Sequence, residues 1–120
     1  MLIYCYPTCS TCKKALQWLD GHGVQYTQRN IKEENPTLEE LRALYERSGL
    51  ELKKFFNTSG LKYKELGLKD KLSAMSEEEQ LKLLASDGML VKRPLLVTEE
   101  KVLTGFKAAE WEKGLYIIQD

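Results

Sequence analysis

Cys9 and Cys12 stand three residues apart, with Ser10 and Thr11 between them, in a chain that holds one further cysteine, Cys5. A thiolate attacks disulfides and oxidised small molecules, and a second thiol one helical turn away can displace the adduct and close an internal disulfide. That chemistry needs the first sulfur exposed and held as an anion. A helix start supplies the means, because its first N–H groups lack intrahelical partners and carry about half a positive charge. The residues after Cys9 read as such a helix: Cys12, Ala15, Leu16 and Leu19 recur at i, i+3, i+4 and i+7. Cys9 precedes it and is the expected nucleophile, with the lower pKa of the pair. Cys12 lies on its apolar face and is the expected resolving thiol. Ser10 and Thr11, beside the attacking sulfur, join the candidate substrate-binding residues.

Other uses of these cysteines fit less well. A zinc site needs a second ligand pair, and Cys5 and His22, at opposite ends of the first β-α segment, are not expected to converge on the first. The spacing Cys5-x3-Cys9-x2-Cys12 also matches the triplet that holds an iron–sulfur cluster in radical enzymes dependent on S-adenosylmethionine. Here Thr11 replaces the usual aromatic residue and Cys5 belongs to a strand, so Cys5 reads as a small buried hydrophobe. No metal or cofactor is expected. Trp18 and Trp111 read as packing residues, and His22, followed by Gly23, as a solvated turn residue.

The elements that must position the thiols follow from hydrophobic period. Leu2 to Tyr6 is a continuous apolar run, as in a central strand covered on both faces, and Pro7-Thr8 ends it. The helix from about Ser10 to Leu19 closes at Asp20-Gly21-His22-Gly23, and Val24 to Ile31 gives a second strand, so the first third is a β-α-β unit with a right-handed crossover. Thr37 with Glu40, and Ser76 with Glu79, are capping-box signatures. The first opens a helix with Leu38, Leu41, Leu44 and Tyr45 on its buried stripe, ending at Ser48-Gly49. The second opens one with Leu81, Leu83, Leu84 and Ala85 inward, stopped by Asp87-Gly88. Between them Lys53 to Asn57 and Leu61 to Leu68 read as short helical pieces. Leu95 to Thr98 and Lys101 to Thr104 form a hairpin through Glu99-Glu100. A last helix, Lys107 to Lys113, carries Ala108 and Trp111 on one side.

At 120 residues and 42% apolar content the chain can bury a core as a single domain over 1–120. Its 18 basic and 18 acidic residues leave no net charge, which gives no footing for direct capture of nucleic acid or a membrane. The opening apolar run is too short for a leader or a span. Few and local cysteines suit a reducing compartment. The cytoplasm is the expected location.

The order β-α-β, helical insertion over about 35–90, then β-β-α is the thioredoxin-like α/β plan, with a mixed four-stranded sheet and the dithiol at the start of the first helix. In that plan the residue entering the third strand is a cis proline beside the active-site cysteine. Pro94 takes that place. Arg93 would then stand next to the dithiol, where a permanent guanidinium can stabilise a thiolate or grip an oxyanion in two hydrogen bonds.

Four segments together carry a family resemblance that spans nearly the whole chain: Cys9 to Ala15, Arg29-Asn30-Ile31, Phe56 to Gly67, and Lys92 to Val97. They resemble the arsenate reductase (ArsC-like) family, which includes the Spx regulators. The resemblance implies a nucleophile at Cys9 and a site arginine at Arg93, with glutathione and glutaredoxin, or thioredoxin, as reductant. In the glutaredoxin-coupled reductases three arginines hold the oxyanion, whereas here the other two places carry Asn57 and Gly105. Those reductases also use a single loop cysteine, while the pair Cys9 and Cys12 resembles the Spx branch, whose partner is the C-terminal domain of the RNA polymerase α subunit. The expectation is a thiol-dependent oxidoreductase acting on a disulfide or small oxidised substrate. An Spx-like redox-sensing regulator and a glutaredoxin-coupled arsenate reductase stand as alternatives.

Overall fold

The computed structural model describes residues 1–115. Among them are four strands and six α-helices. The strands β1 (Leu2–Cys5), β2 (Thr27–Asn30), β3 (Leu95–Val97) and β4 (Val102–Thr104) lie in the order β2-β1-β3-β4. The central strand β1 runs parallel to β2, with Leu2 beside Thr27 and Cys5 beside Asn30, and antiparallel to β3, with Leu2 beside Val97 and Tyr4 beside Leu95. β3 and β4 form the antiparallel hairpin. The α/β class, the mixed sheet and its thioredoxin-like relation of elements agree with the sequence expectation. The second strand is shorter than expected. Val24 and Tyr26 pack beneath helix α1 (Ser10–Gly21) as part of the αβ connection, and the paired residues Thr27 to Asn30 are polar, as suits an edge strand.

Each sheet face covers its own cluster. On one, Ile3 and Cys5 of β1 and Leu96 of β3 pack with Cys12, Ala15 and Leu19 of α1 and with Trp111 of α6 (Ala108–Gly114). Trp111 meets Trp18 edge-on at 5.9 Å and Phe106 at 4.9 Å. Ala108 is exposed and does not share the buried side with Trp111. His22 is half-buried rather than solvated, its ring 4.1 Å from that of Trp18.

On the other face, Tyr4, Leu95 and Val102 meet the helical insertion: α2 (Leu38–Ser48), α3 (Leu61–Glu65), α4 (Leu68–Lys71) and α5 (Glu77–Ser86). Both capping boxes form, from Thr37 with Glu40 and from Ser76 with Glu79. The Leu61 to Leu68 piece is two helices, because Gly67 takes a left-handed φ of 64° and turns the chain between them. Lys53 to Asn57 appears as a 3-10 turn over Leu52–Phe55.

Three ties set the insertion against the sheet. Arg29 of β2 pairs with Glu40 of α2 at 2.6 Å, beside the Tyr4 hydroxyl. Arg47 of α2 donates to the carbonyls of Thr98 and Glu99 in the hairpin. Gly88, after α5, passes so close to Ile31 that a Cβ there would stand 1.7 Å from the Ile31 oxygen. Among the described residues no helix is long and apolar enough to cross a membrane.

Candidate active site

The turn Tyr6-Pro7-Thr8-Cys9, closed by the Cys9 N–H on the Tyr6 carbonyl at 3.0 Å, delivers Cys9 to the N-cap of α1 in an extended conformation. Its carbonyl accepts from Lys13 N–H. Cys9 makes no side-chain cap bond to the N–H groups of the first turn, and no acidic side chain in that turn competes for them. Cys9 is half-buried, and Cys12, three residues into the helix, is 1% exposed. The alternation of β1 turns Ile3 and Cys5 toward α1, so the Cys12 sulfur meets β1 where Cys5 ends: it accepts from Tyr6 N–H at 3.5 Å.

This places a third thiol in contact with the pair. Hydrogen bonding from Cys5 pulls the Cys12 thiol down to about 6, against the opposing effect of burial, and Tyr6 N–H, Cys9 and the charge of Arg93 act in the same direction. The same contact, with burial, pushes Cys5 up. Cys5 is thus a thiol partner of Cys12 as well as a core residue. The signal was the alternation in β1, which puts Cys5 on the α1 face; reading the strand as one apolar run hid it. The depression at Cys12, beneath the helix start, was not part of the sequence expectation.

The Arg93–Pro94 peptide bond is cis. Pro94 is buried and its carbonyl accepts from Gly105 N–H at 2.8 Å. Arg93 lies over the Tyr6 ring at 5.3 Å, and its Nε and Nη1 are buried without a hydrogen-bond partner among the described residues. Buried guanidinium nitrogens left so are costly unless an anion or polar group meets them. Asn57 reaches the same region because Phe56 bridges Val91 and Asn57 N–H bonds the Leu90 carbonyl at 2.8 Å.

Cys9, Thr11, Asn57, Arg93 and Gly105 line one cleft of about 1120 Å³ between the insertion and the hairpin. Cys12 and Pro94 are buried and are not among its lining residues. Ser10 is exposed and is not among the lining residues, so the structure does not bring it to the cleft. Gly105 has φ of 71°, and a Cβ there would sit 3.1 Å from Lys92 Cε. Among the described residues no group of three or more His, Cys, Asp or Glu side chains is set to hold a metal ion. The arrangement can bind an anion at Arg93 and the helix start, and can pass a bond from an accessible sulfur to a shielded one.

Residues 4–114 match the model of the ArsC family. The chain is 59% identical over 114 residues to the uncharacterized protein YusI of Bacillus subtilis, covering 95% of this chain and 97% of that one. It is 26% identical over 115 residues to the global transcriptional regulator Spx of Enterococcus faecalis, covering 96% and 86%. Among solved structures, an ArsC family related protein from Bacteroides fragilis superposes with a TM-score of 0.91 at 60% identity, over 93% of this chain and 94% of the other. A possible arsenate reductase from Streptococcus mutans does so at 0.86 and 50%, over 93% and 95%.

Proposed function

The chain belongs to the ArsC family, and on that premise we propose that it is a thiol-dependent oxidoreductase, with Cys9 as nucleophile and Cys12 as resolving thiol. The observation that carries this reading is the pairing of a cleft-lining Cys9 with a Cys12 that is 1% exposed one turn below. Cys9 thiolate attacks one sulfur of a substrate disulfide and expels the other as a thiolate. Cys12 thiolate then attacks the Cys9 sulfur, releases the second substrate thiolate and leaves a Cys9–Cys12 disulfide. Two electrons have passed to the substrate. A thiol reductant of the glutaredoxin or thioredoxin type restores the dithiol. Arg93, with Thr11 and Asn57 beside it, holds the negative charge that develops near Cys9.

Disulfide reduction by the wild type, Cys9→Ser and Cys12→Ser tests this. Cys9→Ser should be inactive, and Cys12→Ser should accumulate a mixed disulfide at Cys9 visible by mass spectrometry. Undiminished turnover by Cys9→Ser would sink the reading.

The likeness to the regulator Spx over 96% of this chain favours a second reading. In it the same dithiol is a redox switch on a surface that grips the C-terminal domain of the RNA polymerase α subunit. Pull-down with that domain, in reduced and oxidised protein, decides it. Redox-dependent capture supports the switch, and no capture in either state removes it.

A further inference from the structure

The cleft beside Cys9 has a charge that the rest of the chain lacks. Seven basic and three acidic side chains line it, in a chain with 18 of each, so the remaining surface carries the matching acidic surplus. Arg47 is committed to the carbonyls of Thr98 and Glu99. The other six cations come from both walls: Lys53 and Lys54 from the 3-10 turn of the insertion, Lys92 and Arg93 from the entry to β3, Lys101 from the hairpin, and Lys107 from beyond β4. Glu51, Glu100 and Glu110 offset only part of this.

The spread of cations separates the candidate occupants. At about 1120 Å³ the cleft stands at the upper end of pockets for drug-sized ligands, roughly 300–1,000 Å³, with its cations on both walls. A lone tetrahedral oxyanion would use only the Arg93 end and would leave Lys53, Lys54 and Lys107 without a function in binding. A chain segment that crosses from the insertion wall to the hairpin wall would meet all of them.

We infer that the cleft receives an extended acidic segment of a protein partner and presents a disulfide within it to Cys9, so that the substrates are protein disulfides flanked by Asp or Glu. This rests on the thiol-oxidoreductase reading and names its substrate class. Cys9 thiolate takes the nearer sulfur of the partner's disulfide as the farther one leaves as a thiolate. Cys12 then displaces the partner's second thiolate, and the partner departs reduced by two electrons. Clefts of one charge sign between low-dielectric walls raise association rates by about 10–10³-fold, an advantage that salt removes.

The test uses the full-length reduced chain and peptides of equal length, each with one cysteine held as a mixed disulfide with 2-thiopyridine and flanked by Glu, Gln or Lys. Release of 2-thiopyridone gives the rate, and the mixed disulfide of glutathione with 2-thiopyridine is run beside them. The Glu peptide should outpace the Lys peptide by about tenfold or more at low ionic strength, and added salt should narrow the gap. Exchanging Lys53, Lys54 and Lys107 for Gln together should bring the Glu peptide down toward the Gln peptide, with circular dichroism showing the variant folded. Equal rates for all three peptides would overturn the inference and leave the thiol chemistry standing. The glutathione adduct outpacing the Glu peptide would overturn the inference and assign the cleft to a small anionic disulfide instead. No release from any probe would overturn the thiol reading itself, and the inference with it.

Discussion

The Cys12 sulfur has two partners at the end of β1, the Cys5 thiol and the Tyr6 N–H, and these lower its pKa together with Cys9 and the charge of Arg93. In a Cys9→Ser variant, thiolate absorbance in the ultraviolet should rise with a midpoint below the ordinary thiol value but above the intact site's, because the Cys9 thiol that also lowers Cys12 is gone. Adding Cys5→Ala should move that midpoint up toward the ordinary thiol value, about 8.5. The sign for stability follows. A folded pKa below the unfolded one adds stability that is full above the unfolded value and is lost as pH falls through about 6. Cys5, shifted up, acts only above that window. Denaturant midpoints of the Cys9→Ser variant should therefore rise between those two pH values, and a flat profile would remove the thiolate from Cys12. Arsenate poses a separate question. Set against the three-arginine site that the resemblance implies, with Asn57 and Gly105 in the other two places, an oxyanion loses two charge-assisted contacts of about 1.5 to 3 kcal/mol each. Allowing for part returned by Asn57, binding weakens by about two to four powers of ten, so turnover with glutathione and glutaredoxin should be negligible in a coupled assay. Asn57→Arg should raise oxyanion affinity. Gly105→Arg should instead cost about 1–2 kcal/mol in a denaturant titration, because φ at Gly105 is 71°. The dithiol, Arg93 and Pro94 were legible because spacing and strand order place them. The Cys5 contact and the positive φ at Gly105 were not, since both depend on which face and which turn the chain takes.

Glu40 does two jobs in α2: its carboxylate closes the capping box on Thr37 N–H at 3.0 Å and accepts from Arg29 of β2. Arg29 first, then the backbone of Thr37 and the Tyr4 hydroxyl, hold it down to about 2 against the effect of burial. That contribution is present above the unfolded carboxyl value, about 4.3, and is lost as pH falls through about 2. Thr37→Ala should cost about 1 kcal/mol, the cap alone. Glu40→Ala should cost roughly 1 kcal/mol more, a modest increment because the ion pair is partly exposed and screened, and should raise the pH of acid unfolding. Equal costs would mean that Arg29 contributes nothing to seating α2. The helices with capping boxes, α2 and α5, could be read from sequence to within a residue or so at their starts. The segment after Gly60 could not, because α3 and α4 are too short to show a period, and only the left-handed Gly67 decides where one ends.

At the scale of the molecule, the sheet separates two cores, and the insertion closes on it where α5 hands the chain back toward β3. Gly88 marks that point, with Asn35 donating to the Ala85 carbonyl at 2.7 Å beside it. Because the clash of an added Cβ would be with backbone, Gly88→Ala should destabilise by about 3 kcal/mol in a denaturant titration, while Gly21→Ala, with open space around it, should not. The two tryptophans of the chain, Trp18 and Trp111, both lie on the Cys12 side of the sheet, in contact with each other. Intrinsic fluorescence is therefore a one-sided gauge. Closure of a neighbouring disulfide should quench it, giving a label-free readout of the dithiol in real time. Loosening of the insertion on the opposite face would leave the emission unchanged while ellipticity fell, so a mismatch between the two signals would locate the event without any probe attached.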